Sequence, residues 1–83
     1  MSVFKKGEPL GAAERRYKIR ITTADGQTFY WHKRGALHTV SEDVADIFVA
    51  NFKPELFQVN PDGSLTPPGP GTLPIERVTK EPA

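Results

Sequence analysis

Apolar and polar residues alternate cleanly along Tyr17-Lys-Ile-Arg-Ile-Thr-Thr23, with Tyr17, Ile19 and Ile21 on one side and Lys18, Arg20 and Thr22 on the other. A period of two predicts a half-buried β-strand. Ala24-Asp-Gly-Gln27 follows, and Asp-Gly between alternating runs is a strong hairpin signal. The returning strand is predicted over Gln27 to Lys33, which is rich in β-formers. Its period puts Phe29 and Trp31 on one face and Tyr30 and His32 on the other. A slip of one residue would exchange Trp31 and Tyr30, so the inward aromatic stays open at this point.

Arg34-Gly35 breaks this strand, and Ala36 to Val40 is predicted as a short edge strand. Ser41 is a candidate N-cap with Glu42 and Asp43 in the first turn, where acids complement the helix dipole. Thr39 with Glu42 offers a rival capping box. The helix is predicted to run to Asn51, where Val44, Ile47, Phe48 and Asn51 follow an i, i+3, i+4, i+7 spacing, and Pro54 stops it. A last short strand is predicted over Glu55 to Val59, followed by a turn at Asn60-Pro-Asp-Gly63. The pattern is therefore an α+β unit of order β-β-(β)-α-β, confined to residues 17–59 and flanked by an N-terminal arm (residues 1–16) and a C-terminal arm (residues 60–83). The N-terminal arm has isolated apolar residues (Val3, Phe4, Leu10) and is expected to end in a helical turn near Ala12 to Arg16.

The C-terminal segment holds six prolines, three glycines and no aromatic residue. Its apolar surface is too small to offset the entropy of ordering it as an independent core. It still contains Leu65, Leu73, Ile75 and Val78. Three readings apply: a flexible terminus, a polyproline ligand at Pro67-Pro-Gly-Pro70, or an arm whose Leu73, Ile75 and Val78 anchor it as an added strand on a neighbouring subunit. The spaced anchors favour the arm, and its removal is then expected to leave the fold intact. The 43 residues left to build a core are near the size at which domains need disulfides, metals or partners.

Composition narrows the chemistry. There is no cysteine, so disulfides and thiolate metal sites are excluded. No apolar run approaches the ~20 residues that span a bilayer, and Met1 to Gly11 lacks the apolar stretch of a secretory signal. The formal charge of +1 hides an asymmetry, since residues 1–40 carry eight basic against three acidic residues and residues 41–83 carry three against seven. Such a bipolar distribution favours head-to-tail contacts or an acidic partner surface near the N-terminal half, and falls short of the basic balance of a dedicated nucleic-acid binder. His32 and His38 lie apart from any carboxylate in sequence, and no serine sits in a nucleophile elbow. No catalytic set, cofactor loop or metal site is expected, and the chain is expected not to be an enzyme.

The one aromatic and basic cluster is Phe29-Tyr-Trp-His-Lys-Arg34, facing Lys18 and Arg20 across the hairpin. Either Phe29 and Trp31 form a core against the helix, or the cluster binds single-stranded nucleic acid or a protein. The residues expected to carry protein binding are Phe29, Tyr30 and Trp31 at the sheet surface, Arg15, Arg16, Arg20 and Arg34 as ion-pair donors, and Leu73, Ile75 and Val78 in the tail.

The hairpin, then His38-Thr-Val-Ser-Glu-Asp-Val-Ala45, then Pro54-Glu-Leu-Phe-Gln-Val59, together resemble small accessory proteins of tailed bacteriophages. The resemblance covers about half of the chain. It implies a structural component of the virion, assembled in the host cytoplasm: a capsid decoration or cement protein, or a head–tail connection. Its partners would be other protein subunits, in a homo-oligomer or among capsid and connector proteins. The alternatives are a small cytoplasmic nucleic-acid-binding or regulatory protein, or an inhibitor of the anti-CRISPR type.

Overall fold

The computed structural model describes residues 15–83. Of the helical turn expected near Ala12 to Arg16, only Arg15 and Arg16 lie among them, and neither is helical; Val3, Phe4 and Leu10 lie outside them.

The fold is α+β: one helix lies against one face of an antiparallel sheet. Strand β1 (Tyr17–Thr23) and its Asp-Gly turn fall where the pattern placed them. Gly26 takes φ +90°, and Gly26 N–H and Gln27 N–H donate to the Thr23 carbonyl and hydroxyl at 3.0 and 2.8 Å. Asp25 accepts hydrogen bonds from the Thr23 hydroxyl and the Gln27 side chain, which hold its carboxyl below the ordinary range. The returning strand breaks in two, β2 (Thr28–Tyr30) and β3 (His32–Lys33), with Trp31 at the break. Strand β4 (Ala36–Leu37) pairs with β3 in a small separate hairpin. Its turn is Arg34-Gly35, both with positive φ (54° and 78°), the combination a tight two-residue hairpin turn requires. Strand β5 (Thr39–Val40) pairs with the start of β1.

Helix α1 (Glu42–Asn51) begins at Ser41, whose hydroxyl accepts the Val44 N–H at 3.4 Å, so Ser41 is the cap rather than Thr39. A single 3-10 turn (Pro54–Leu56) replaces the first half of the predicted last strand, leaving β6 (Gln58–Val59). The Asn60-Pro-Asp-Gly63 turn joins β6 to β7 (Leu65–Thr66).

The chain then does what the C-terminal arm was not expected to do. Leu73–Pro82 forms β8, which pairs with β1 over seven residue pairs and with β6 at Leu73 and Pro74. The sheet order is β2-β1-β8-β6-β7, so β8 is a central strand rather than an arm. The folded unit therefore does not end at Val59. Ile75 and Val78 lie in the core with Ile19, Ile21, Ala45 and Val59, and Leu73 packs against it. Ile75 and Val78 are thus buried within the molecule, and Leu73, half-buried, packs against the same core, so the three serve this chain's own sheet rather than a free arm. Deleting residues 65–83 would remove part of the core rather than a detachable tail.

One sheet face carries Tyr17, Ile19, Ile21, Phe29, Ile75, Val78 and Lys80 toward the helix, as the strand registers require. Lys80 bonds Glu42 (2.9 Å) and Asp46 (2.7 Å) on α1, and these two carboxylates raise its pKa above the ordinary lysine value. The other face holds Lys18, Arg20, Thr22, Tyr30, Arg77, Thr79 and Glu81, and no element among the described residues covers it.

Candidate functional site

The helix stripe is rotated from its predicted position. Ala45, Phe48, Val49 and Phe52 pack on the core, again at i, i+3, i+4 and i+7. Val44 and Ile47 are left on the outside at 49% and 64% exposure. Helix α1 is thus apolar on more of its circumference than the sheet can cover. Leu56 (53%), Leu37 (42%) and Phe57 (37%) are also exposed.

The inner and outer apolar residues meet in a groove of about 380 Å³. One wall is the segment Trp31 to Arg34, the other is Ser64 and Leu65, and the floor is Phe48, Phe52 and Phe57. A second, shallower depression of about 260 Å³ shares that floor and adds Ile47, Lys53 and Leu56. The aromatic rings run in one ladder. His38 meets Trp31 edge-on (centroids 4.7 Å), Trp31 stacks on Phe48 (4.6 Å), Phe48 neighbours Phe52 (5.3 Å), and Phe52 stacks on Phe57 (5.9 Å). Offset and edge-on pairs at these separations are favourable beyond the area they bury.

Backbone hydrogen bonds set the walls. Trp31 N–H donates to the Ile19 carbonyl at 3.0 Å and continues the β2–β1 ladder one residue past β2. His32 N–H turns away and donates to the Gly63 carbonyl at 2.9 Å, tying the β3–β4 hairpin to the β6–β7 turn. His32 Nδ1 lies 2.7 Å from the Tyr30 carbonyl, which can only accept, so that nitrogen carries the proton. Gly63 is buried beneath this crossing with φ +87°. A Cβ there would meet the Tyr30 carbonyl and His32 Nδ1, so only glycine lets the walls approach. His38 is held below the ordinary histidine value, first by burial and then by the charges of Lys33 and Arg16. It is therefore a neutral ring in the ladder at neutral pH.

The predicted site residues from the hairpin and the arginines divide among four places. Trp31 and Arg34 line the groove. Phe29 is half-buried and packs on the core rather than at an open surface. Tyr30 lies on the open sheet face, where its hydroxyl donates to Glu81 at 3.1 Å and Lys18 sits 4.5 Å above its ring. That hydrogen bond raises the Tyr30 pKa and keeps the phenol protonated. Trp31, not Tyr30, is therefore the inward aromatic. Arg20 pairs with Glu81 at 3.3 Å. Arg15 and Arg16 flank a cleft with Tyr17, Pro82 and Ala83, and Arg16 Nε donates to Thr39 at 3.3 Å. The structure does not bring these arginines to the groove.

The aromatic floor was absent from the predicted site. Phe52 falls between the predicted end of the helix and Pro54, and Phe57 within the strand predicted over Glu55 to Val59, so no single element of the sequence pattern puts the two rings on one face. The excess of apolar residues around α1 was the available signal, because one buried stripe does not need both Val44-Ile47 and Ala45-Val49.

Among the described residues, no group of three or more His, Asp or Glu side chains is placed to hold a metal, and no helix is long and apolar enough to cross a membrane. No protein-family model, curated protein or solved structure matches this chain.

Proposed function

We propose that this chain is a non-enzymatic structural protein that binds neighbouring protein subunits through the aromatic groove and the aliphatic residues beside it. The observation that carries this reading is the exposed strip Ile47, Leu56 and Phe57, which runs into a floor of stacked phenylalanines under Trp31. Apolar surface of this kind is costly to leave in water, and contiguous patches mark interaction sites. Tryptophan and phenylalanine gathered in a hollow are also typical of the residues that interfaces enrich. The setting implied by the bacteriophage resemblance is a virion, with the chain as a decoration or connector component; an inhibitor bound to one host protein would use the same surface. Leu73, Ile75 and Val78 have no part in this contact.

The test places a photoreactive residue at Leu56, beside the groove, or at Thr79 on the open sheet face, in cells that make the full chain. A discrete protein adduct at position 56 and none at position 79 is the expected result. Equal labelling at both positions, or none at either, would overturn the reading.

A further inference from the structure

The formally charged side chains that line the groove and the depression beside it are all basic. Lys33 and Arg34 line the groove, Lys53 lines the shallower depression beside it, and no carboxylate lines either. Lys33 and Arg34, with His38, also line the adjoining surface hollow. Away from the groove, Arg20, Arg77 and Lys80 each hold an acid within 3.3 Å. Lys33, Arg34 and Lys53 hold none among the described residues. Lys33 instead extends over the Trp31 ring at 5.3 Å. Asp62, two residues before Ser64 and within electrostatic reach of His32, and Glu55, two residues from both Lys53 and Phe57, line neither depression. The Asp62 carboxylate is occupied by the Ser64 N–H and hydroxyl at 2.9 and 2.6 Å. The groove and the depression beside it thus pair an apolar floor with Lys33, Arg34 and Lys53, which hold no ion-pair partner among the described residues.

We infer that the groove takes an acidic segment of its partner, one with large apolar anchors set between Asp or Glu residues; the inference rests on the protein-binding reading above. The anchors seat on Phe48, Phe52 and Phe57, and the acids meet Lys33, Arg34 and Lys53. Opposite charge across a rim governs partner choice and encounter rate more than total affinity. Single-stranded nucleic acid would also find rings and cations here. The aliphatic continuation through Ile47 and Leu56 favours a polypeptide, because a base stacks on a ring and gains little from an exposed Ile or Leu.

Trp31 is the only tryptophan of the chain, so its fluorescence reports occupancy of the groove directly. The full chain is titrated with three synthetic peptides sharing fixed Phe and Leu anchors, separated by Asp and Glu, by Ser and Gln, or by Lys. An oligothymidylate is the fourth probe. The acidic peptide is expected to bind tightest at low salt, about tenfold more tightly than the neutral one, the scale of several exposed ion pairs acting together. This advantage should shrink as salt rises. The double variant Lys33→Glu/Lys53→Glu, which alters only exposed side chains, should transfer the preference to the Lys peptide. Equal binding of the acidic and neutral peptides would overturn the acidic preference and leave protein binding standing. Tighter binding of oligothymidylate than of the acidic peptide would overturn both. If no peptide perturbs Trp31, the inference falls, and the adduct at position 56 decides the protein-binding reading by itself.

Discussion

Single residues do the work that a larger core would otherwise share. Gly63 lets the β3–β4 hairpin cross the β6–β7 turn, and His32 closes that crossing onto the Tyr30 carbonyl. His38 caps the aromatic ladder in its neutral form. Its pKa in the fold is lower than the ordinary 6.5, so between those two values the unfolded chain binds more proton than the folded one. The stability His38 contributes is therefore full above 6.5 and declines as pH falls below it, until the lowered folded value is passed. Urea unfolding of the wild type and of His38→Gln between about pH 8 and about pH 5 tests this, since histidine titrates in that window. The wild type should lose more stability than the variant on acidification. A difference between them that does not change with pH would count against it.

At the scale of elements, the instructive case is β8. Its apolar residues Ile75 and Val78 are three apart, so no two-residue alternation runs through it. The register explains why: Thr22 pairs with Arg77 but Thr23 pairs with Ile75, leaving Glu76 as the extra residue of a β-bulge. The bulge resets the phase, and both Ile75 and Val78 reach the core. Pro74 and Pro82 lie at the ends of the strand, where a missing N–H costs the ladder least. Pro74 still contributes its carbonyl, which accepts the Ala24 N–H at 2.9 Å. Burial of Ile75 and Val78 is worth about 1.5–3 kcal/mol each, a large part of the ~5–15 kcal/mol that holds a domain together. Truncation after Thr72 should therefore abolish cooperative unfolding of the remaining chain, followed by circular dichroism during heating. A truncated chain with a sharp transition near that of the full chain would mean that β8 is dispensable. By contrast β1, its turn, the Ser41 cap and the helix limits were legible, because each rests on a local signal that needs no partner.

For the whole molecule, the sheet and the helix divide the surface into an open polar face and an apolar groove. Of the ten residues singled out from the sequence, two line the groove, and there is a physical reason for it. Trp31 and Arg34 belong to the same hairpin and arrive at the groove together, whereas Phe48, Phe52 and Phe57 are gathered from the helix and the segment after it. Substitution of Ile47 by Lys should leave thermal stability within about 0.5 kcal/mol, as is usual for exposed positions, because its side chain is 64% exposed. The same change should sharply reduce the photo-adduct formed at position 56. A loss of stability with an unchanged adduct would show that Ile47 serves the fold and not a partner.

The sequence by itself determined the elements whose signals are local: the alternation of β1, the Asp-Gly and Asn-Pro-Asp-Gly turns, the capped helix stopped before Pro54, and the α+β class. It also carried the apolar excess of α1, though not which stripe would be buried. Tertiary structure alone decided that the proline-rich C-terminus supplies a central strand. The reason is that β1 offers an unpaired edge along its whole length, and a bulged strand with one apolar face is stabilised only when that edge is there to receive it. Only the packed fold shows that Ala45, Phe48 and Val49 of α1 meet the core, that Ile47 lies outside it beside the shallower depression, and that Phe48, Phe52 and Phe57 come together as the groove floor.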